Sequence, residues 1–225
     1  MANREPKVKV QHLTKKFGDL LVLNDLNFEV QEGEFLCIVG PTGCGKTTFL
    51  NSLTRLYEPT AGDILVNGIP VNPKTQNISY IFQEYSSFPW LTVEQNIRFG
   101  LEIKKVSKAE ADANVEEMLD IVGLTKFRDY YPSQLSISML QRVAIARAFA
   151  TKPELLLMDE PYGQLDIDLR FKLEDELIKL WKKTGTTVLF ITHNIEEAVY
   201  LSQKIMVLTN KPTSVKTILD NPLPL

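Results

Sequence analysis

The chain has 225 residues, of which 44% are hydrophobic and 24% charged. This balance is ordinary for a globular protein with a sizeable core, and it excludes a disordered, collagen-like or coiled-coil chain. At roughly 150 residues per domain we expect one large domain or two intimately packed ones. The 25 basic and 28 acidic residues give a net charge of −3, so no nucleic acid partner is expected.

The two cysteines, Cys37 and Cys44, lie in one short segment. They cannot form a disulfide framework, and a reducing compartment fits best. No apolar stretch reaches the roughly 18 residues of a membrane span, and residues 1–6 lack the apolar run of a signal peptide. We therefore expect a cytosolic chain.

The first part of the chain predicts strands that form an antiparallel start. Strand patterns cover residues 8–13, 20–23 and 26–30, with breaks at Gly18-Asp19 and Asn24-Asp25. Residues 35–39 predict a buried strand, 40–45 a loop and 47–56 a helix. Further strands are expected at 62–66 and 77–82, with Asn67-Gly68 as the turn between them.

The rest of the chain alternates helical and strand patterns. Residues 107–123 predict a helix, with a capping box from Ser107 and Glu110 and a stop at Gly123. We interpret residues 100–150, approximately, as an inserted helical subdomain. Strands are expected at 155–158, 187–192, 205–208 and 215–218, with a helix at 168–183. The pattern predicts an α/β fold over 1–225, with a mainly parallel core sheet and an N-terminal antiparallel β subdomain.

A phosphate-binding motif, G-x-x-x-x-G-K-[ST], lies between a predicted strand and a predicted helix, as this motif requires. Its glycines let backbone N–H groups turn towards a β-phosphate, and the helix N-terminus adds positive charge. Lys46 would neutralise the β and γ oxygens, and Thr47 offers a hydroxyl to Mg²⁺. Cys44 is interpreted as a small packing residue rather than a redox group. The matched run is Gly40-Pro41-Thr42-Gly43-Cys44-Gly45-Lys46-Thr47.

Polar residues follow two of the later strands. Asp159 and Glu160 come directly after residues 155–158, and His193 follows residues 187–192. Open α/β sheets bind ligands at the C-terminal ends of their strands. Asp159 can hold Mg²⁺ through a water, and Glu160 can polarise the water that attacks a γ-phosphorus. His193 could sense whether that phosphate is present.

In order and spacing, these motifs resemble those of the ATP-binding cassette (ABC) ATPases over essentially the whole chain. Phe17 falls where that family has the aromatic residue that stacks on adenine, and Gln83 falls at its Q-loop glutamine. Residues 163–166, which include Asp166, resemble the D-loop, and His193 takes the position of the switch histidine. Within the family, residues 82–93, 131–136 and 159–163 look most like importers of nitrate, sulfonate, taurine or bicarbonate.

The resemblance implies an ATPase dimer that binds two membrane permease subunits at the inner face of the cell membrane and is served by a solute-binding protein. ATP and Mg²⁺ would be its cofactors, and the signature motif of one chain would complete the site of the other. Family chains usually extend beyond a position such as Leu225, so the chain is either trimmed or a short member. The implied nucleotide-binding residues are Phe17, Gly40, Pro41, Thr42, Gly43, Cys44, Gly45, Lys46, Thr47 and Thr48; the metal-binding residues are Thr47, Gln83 and Asp159; the catalytic residues are Glu160 and His193.

The signature motif departs from the family pattern of Leu-Ser-Gly-Gly followed by Gln or, in this branch, often Met. Here the run is Leu135-Ser136-Ile137-Ser138-Met139. Ile137 adds a branched side chain that resists close approach and disfavours unusual backbone angles, whereas Ser138 can donate its hydroxyl. Losing one or two hydrogen bonds of roughly 1.5 to 3 kcal/mol would slow hydrolysis about ten- to ten-thousand-fold. Gln164, where this branch usually has Ala, has no clear consequence.

Alternatives remain open at this level. The chain could pair with a second ATPase whose signature is intact, or act as a slow, regulatory nucleotide-binding subunit. A non-transport ABC ATPase would usually show coiled-coil insertions, paired cassettes or basic surfaces. A GTPase would need Asn-Lys-x-Asp, but Asn210-Lys211-Pro212 continues with Thr213. An interaction module that binds nucleotide without turnover would bind ATP and release no phosphate.

Overall fold

The computed structural model describes residues 5–84, 86–163 and 165–223. Gln164 of the expected D-loop, and Pro224 and Leu225 at the C-terminus, lie outside the described residues. The strands are β1 (Val8–Phe17), β2 (Leu20–Val30), β3 (Phe35–Val39), β4 (Ala61–Val66), β5 (Ile69–Pro70), β6 (Ile78–Ile81), β7 (Leu155–Asp159), β8 (Thr187–Thr192), β9 (Lys204–Leu208) and β10 (Val215–Asp220). The α-helices are α1 (Lys46–Leu53), α2 (Val93–Ile103), α3 (Lys108–Ile121), α4 (Ile137–Ala150), α5 (Ile167–Thr184) and α6 (Ile195–Leu201).

The strands form two sheets. The four-stranded sheet has the order β2-β1-β4-β5 and is antiparallel, whereas the six-stranded sheet has the order β10-β9-β3-β8-β7-β6. All neighbours in the larger sheet are parallel except β9 and β10. The predicted fold class, a mainly parallel core with an antiparallel N-terminal sheet and helices, is confirmed.

The central strands β3, β7 and β8 are buried along almost their whole length. Alternate residues of a strand point to opposite faces. Leu156 and Met158 therefore join a core beneath the helices, while Leu155 and Leu157 join a second core that faces the antiparallel sheet. Both faces of the sheet are covered, which explains why these strands are continuous apolar runs.

The parallel pairing brings the functional strand ends to one edge of the sheet. Val39 pairs with Thr192, and Asp159 pairs with Ile191. Gly40, His193 and Glu160, which follow β3, β8 and β7, therefore leave the sheet at the same edge, with His193 on the strand between the other two.

Three expectations need correction. Residues 24–25 do not break a strand, because β2 runs through them with Asp25 at a φ of 51°. The Asn67-Gly68 turn joins β4 to β5 and not to the strand at 78–81. Ser107 accepts the N–H of Glu110, but no reciprocal bond from the Glu110 side chain is found in the described residues. Only half of the expected capping box is therefore formed.

The helices α2, α3 and α4 pack on one another and contribute to the core on the helix side. Ser136 is the N-cap of α4, so the signature run lies at the start of that helix. Within the described residues, no helix is both long enough and apolar enough to cross a bilayer.

Candidate nucleotide-binding site

The phosphate loop adopts a backbone that its glycines make possible. Gly43 has a φ of 72° and Gly45 a φ of 120°, values that side-chain-bearing residues rarely adopt. A Cβ on Gly45 would lie 2.9 Å from Val22 Cγ1, whereas a Cβ on Gly43 would meet nothing within 4 Å. The loop is therefore packed against β2 on one side and open on the side where a ligand would approach.

Lys46 begins α1, and its ammonium group lies inside the loop. It donates to the carbonyl oxygens of Gly40 at 3.0 Å and Pro41 at 3.2 Å, and it lies 3.7 Å from Glu160 Oε1. Lys46 is only 5% exposed. A buried ammonium group held by carbonyls and a carboxylate is well placed to contact phosphate oxygens that enter the loop.

Glu160 is contacted by three other predicted residues. Its Oε2 atom lies 3.1 Å from His193 Nδ1 and 3.4 Å from Gln83 Nε2, while Lys46 lies at its other oxygen. Glu160 has a φ of 46°, and its N–H donates to the carbonyl of Ile191. Such a left-handed backbone is unfavourable for a glutamate and is often found at functional sites.

Asp159 is the buried last residue of β7 and accepts a hydrogen bond from the Tyr80 hydroxyl at 3.3 Å. Burial raises the pKa of Asp159, and hydrogen bonds from Thr47 and Tyr80 partly oppose that rise. A desolvated carboxylate beside a hydroxyl suits Mg²⁺, which prefers oxygen ligands. The described residues include no group of three or more His, Cys, Asp or Glu that could hold a metal ion.

Phe17 lines a cleft of about 430 Å³ that Thr42, Thr47 and Thr48 also line. Phe17 is 43% exposed. The Lys15 ammonium lies 4.9 Å from the ring centroid, and the ring of Tyr57 packs edge-on at 5.3 Å. These contacts hold the ring in a position that allows it to stack on a base.

Sequence reasoning missed four side chains at this site: Lys15, Tyr57, Tyr80 and Lys211. Lys15 and Tyr57 support Phe17, Tyr80 contacts Asp159, and Lys211 lines the cleft. The alternation along residues 78–82 could have indicated Tyr80 as a residue facing the same side as Phe82, but no local pattern indicates the others.

A second cleft, of about 530 Å³, adjoins the first and is lined by Gly40, Pro41 and His193. Cys44 is buried, and its sulfur lies 3.2 Å from the position that a Cβ on Gly40 would take. Its geometry agrees with the interpretation of Cys44 as a packing residue beneath the loop.

The signature residues lie on the helical side of the protein. The Ser136 hydroxyl accepts the N–H of Met139 at 3.3 Å and lies 2.9 Å from the Ser138 hydroxyl oxygen. Ile137 is 50% exposed, and neither Ile137 nor Ser138 has a positive φ. The expected conflict with unusual backbone angles is therefore absent here, and the bulk of Ile137 is what distinguishes it from glycine.

Asp166 is the N-cap of α5 and accepts the N–H of Leu169 at 2.9 Å. Asp166 and residues 136–139 do not line either cleft in the described part of the chain. The structure thus brings together the phosphate loop, Gln83, Glu160 and His193, and leaves the signature and Asp166 apart from them.

The fold and site define a phosphate-loop ATPase. The model of the ABC transporter family matches residues 23–163, and the chain belongs to this family as an ABC ATPase. It is 42% identical to the nitrate import ATP-binding protein NrtD of Synechocystis, over 93% of this chain and 79% of that protein. It is 40% identical to the aliphatic sulfonates import ATP-binding protein SsuB of Bacillus cereus, over 95% of this chain and 84% of the relative.

A solved structure with the same fold is an ATP-binding cassette dimer in a post-hydrolysis state, bound to ADP and Pi. It has a TM-score of 0.83 and 32% sequence identity, and the match covers 96% of this chain and 100% of that one. The likeness therefore extends through both sheets and the helices.

Proposed function

We propose that this chain hydrolyses ATP to power import of a small solute of the nitrate, sulfonate, taurine or bicarbonate kind through two membrane permease subunits. The importers among its relatives support the solute class. The observation that supports ATP hydrolysis most directly is that Lys46, Gln83 and His193 all contact the carboxylate of Glu160. In this proposal the chain works at the cytoplasmic face of the membrane, and a solute-binding protein delivers the solute.

In the proposed mechanism, Phe17 stacks on adenine and the phosphate loop binds the phosphates. Lys46 stabilises the charge that develops on the transferred phosphoryl group. Glu160 accepts a proton from the attacking water, and His193, 3.1 Å from Glu160, orients that carboxylate and senses the γ-phosphate. Both carboxylates and the histidine leave the same edge of the sheet, so their relative positions are set by strand pairing.

Thr47, Gln83 and Asp159 would hold Mg²⁺ in this proposal. The ion would supply positive charge to the β and γ oxygens. The residues of the chain contribute the rest: Tyr80 donates to Asp159 and keeps its carboxylate in place, and Thr47 lies at the first turn of α1 beside it.

The site is completed in trans by a second ABC ATPase subunit. We propose that α2, α3 and α4 form the inserted helical subdomain, whose signature residues reach the nucleotide of the partner, and that Asp166 acts there as the D-loop aspartate. Ile137 would hold the start of α4 away from that nucleotide, because its side chain occupies space that glycine leaves open. Hydrolysis at the site that this signature completes is then slow.

A second candidate function follows from the same residue. If the exposed Ile137 prevents productive closure, the chain is a slow or regulatory nucleotide-binding subunit of a heterodimeric pair. A partner with intact glycines would then complete the phosphate loop of this chain, and turnover would require that partner.

Separate measurements of nucleotide binding and phosphate release test the proposal. Glu160→Gln should retain ATP binding while phosphate release falls about a hundredfold or more, because the general base is lost. Lys46→Ala should lose tight binding. Glu29→Gln, an exposed carboxylate on β2, is the matched control and should behave as the parent.

The same variants are also measured with Ile137→Gly and Ser138→Gly present, so that a slow parent rate does not hide a loss. Unchanged phosphate release in Glu160→Gln would contradict the assignment of the base. Tight ATP binding with no phosphate release in any background would favour a nucleotide-dependent interaction module instead.

A further inference from the structure

Besides the recognised motifs, the loop of residues 209–214 also borders the nucleotide cleft. Residues 209–214 connect β9 to β10, and Lys211 in this loop lines the same cleft as Phe17, Gly43 and Thr48. The Lys211 side chain is exposed, whereas Lys46 is buried and already held by carbonyls and Glu160. The cleft therefore has a second cation, at its mouth.

Thr213 fastens this loop to the phosphate loop. Thr213 is fully buried, and its hydroxyl donates to the backbone carbonyl of Cys44. Its N–H donates to the carbonyl of Val22 at 2.9 Å, and its own carbonyl accepts from the N–H of Asn24 at 2.8 Å. The 209–214 loop is thus bonded both to β2 and to the loop that binds phosphate.

The 209–214 loop is also closed on itself, which limits its freedom. The N–H of Thr209 donates to the carbonyl of Ser214 at 3.0 Å, and the N–H of Ser214 donates to the Thr209 hydroxyl at 2.9 Å. A Cβ on Gly45 would lie 3.6 Å from Thr213 Oγ1. The backbone that carries Lys211 therefore keeps a defined position relative to the phosphate loop.

The surroundings of Lys211 indicate which part of a nucleotide it meets. The cleft that it lines contains the apolar side chains of Phe17, Leu20 and Val22, where a base would stack. His193 lines the neighbouring cleft, with Gly40 and Pro41. The same cleft is also lined by Lys46, Gln83 and Glu160. The loop that carries Lys211 is bonded through Thr213 to Val22, however, on the side where the base would stack, and the phosphate nearest to the base is the α-phosphate.

We propose that Lys211 binds the α-phosphate of the nucleotide and that Thr213 is the positioning residue that holds Lys211 there. A lysine ammonium is a compact charge on a long flexible stem, which suits contact with a phosphate from the mouth of a cleft. This inference rests on the proposed function, because it requires that the cleft binds ATP.

The test is the dissociation constant of the full chain for ATP and for ADP, measured by fluorescence with labelled nucleotides and Mg²⁺. Lys211→Ala should weaken both by about tenfold, since both carry the α-phosphate and a charge-assisted hydrogen bond is lost. Lys211→Arg should restore most of the affinity. Lys16→Ala, which removes an exposed charge next to Phe17, should change either constant less than about twofold.

The outcomes separate this inference from the proposed function. If the parent binds ATP and Lys46→Ala does not, but Lys211→Ala binds as the parent does, the role of Lys211 is overturned while the function stands. An equal loss of affinity in Lys16→Ala also overturns the role of Lys211, because it shows a general charge effect. So does a loss of affinity in Lys211→Ala for ATP but not for ADP, because that result places Lys211 at the γ-phosphate. A parent that binds no nucleotide refutes the proposed function itself.

A double-mutant cycle tests Thr213. Thr213→Val should weaken nucleotide binding in the parent but cost much less when Lys211 is already alanine, because the hydroxyl acts through Lys211. Thr213→Ser, which keeps the hydroxyl, should restore binding. Equal losses in both backgrounds would show that Thr213 acts on the phosphate loop alone and would overturn its positioning role; thermal melting of each variant verifies that the fold is intact.

Discussion

Glu160 combines a strained backbone with a crowded side chain. Its φ of 46° costs a residue of this type about 1 to 3 kcal/mol. In return its carboxylate lies within 3.7 Å of Lys46 and 3.1 Å of His193. The adjacent Asp159 has an ordinary strand backbone and points to Tyr80, so two neighbouring carboxylates serve different contacts because their backbones differ.

A second acidic side chain, Glu174, is buried in a place where nothing in the proposed chemistry uses it. It lies on α5, with Arg170 3.5 Å away and Glu197 of α6 nearby. Burial, and then the negative charge of Glu197, raises the pKa of Glu174 from its usual 4.5 to about 7, while Arg170 opposes the rise. Asp175 on the same helix also raises the pKa.

Because the folded-state pKa of Glu174 exceeds its unfolded value, the folded protein binds this proton more tightly. Its contribution to stability is therefore present below about pH 4.5 and is lost as pH rises to about 7. Glu174→Gln should raise the free energy of unfolding at pH 8 by about 2 kcal/mol and change it little at pH 4.5. Urea unfolding at both pH values measures the free energy of unfolding of the parent and of Glu174→Gln, with Glu176→Gln, a half-buried neighbour, for comparison. An effect of Glu174→Gln that is the same at pH 4.5 and pH 8 would contradict the prediction.

The first turn of α4 illustrates how much one element can decide. Its N-cap is intact, because Ser136 accepts from Met139, and its last turns are buried among Phe149 and other core residues. The helix is therefore well formed. Only the exposed side chain of Ile137, at its start, hinders close approach by another chain.

Replacing both residues in Ile137→Gly, Ser138→Gly should raise ATP hydrolysis by the purified chain about tenfold or more, because N–H groups of the first turn can then approach the nucleotide of the partner. Phosphate release at saturating ATP is the measurement. Ile103→Gly, the loss of another exposed isoleucine at a helix end, is the control and should not raise the rate. A rate unchanged by the double replacement would refute the inhibitory role of Ile137.

At the scale of the whole molecule, the nucleotide residues and the signature lie on different parts of one chain. The clefts beside the phosphate loop are lined by strand ends and loops of the two sheets, while the start of α4 is outside those linings in the described residues. A single chain thus presents two separate halves of the proposed composite site.

The rate of ATP hydrolysis per chain should therefore rise with protein concentration until dimers predominate. Phosphate release measured over a hundredfold dilution series, with sedimentation to report the oligomeric state, provides the check. Glu29→Gln should follow the same curve, and Lys46→Ala should stay near zero throughout. A rate per chain that stays constant while sedimentation shows monomers would refute a site completed in trans.

Several features were predictable from the sequence because they are local. The phosphate loop is eight consecutive residues whose glycines and lysine carry the chemistry, and the buried strands are short apolar runs. The hairpin at Asn67-Gly68 shows the limit: its turn was correctly expected, but its partner strand was not, because a two-residue strand such as β5 leaves almost no pattern.

The amino-acid order by itself determined which chemical groups this protein has and on which kind of element each lies, since motif, period and turn chemistry depend on neighbours in the chain. Only the tertiary structure decided that Gln83, Lys46 and His193 meet at Glu160, that Lys15 supports Phe17, and that Lys211 reaches the cleft. The strand order β10-β9-β3-β8-β7-β6 creates those contacts, and it depends on long-range packing that no local pattern encodes.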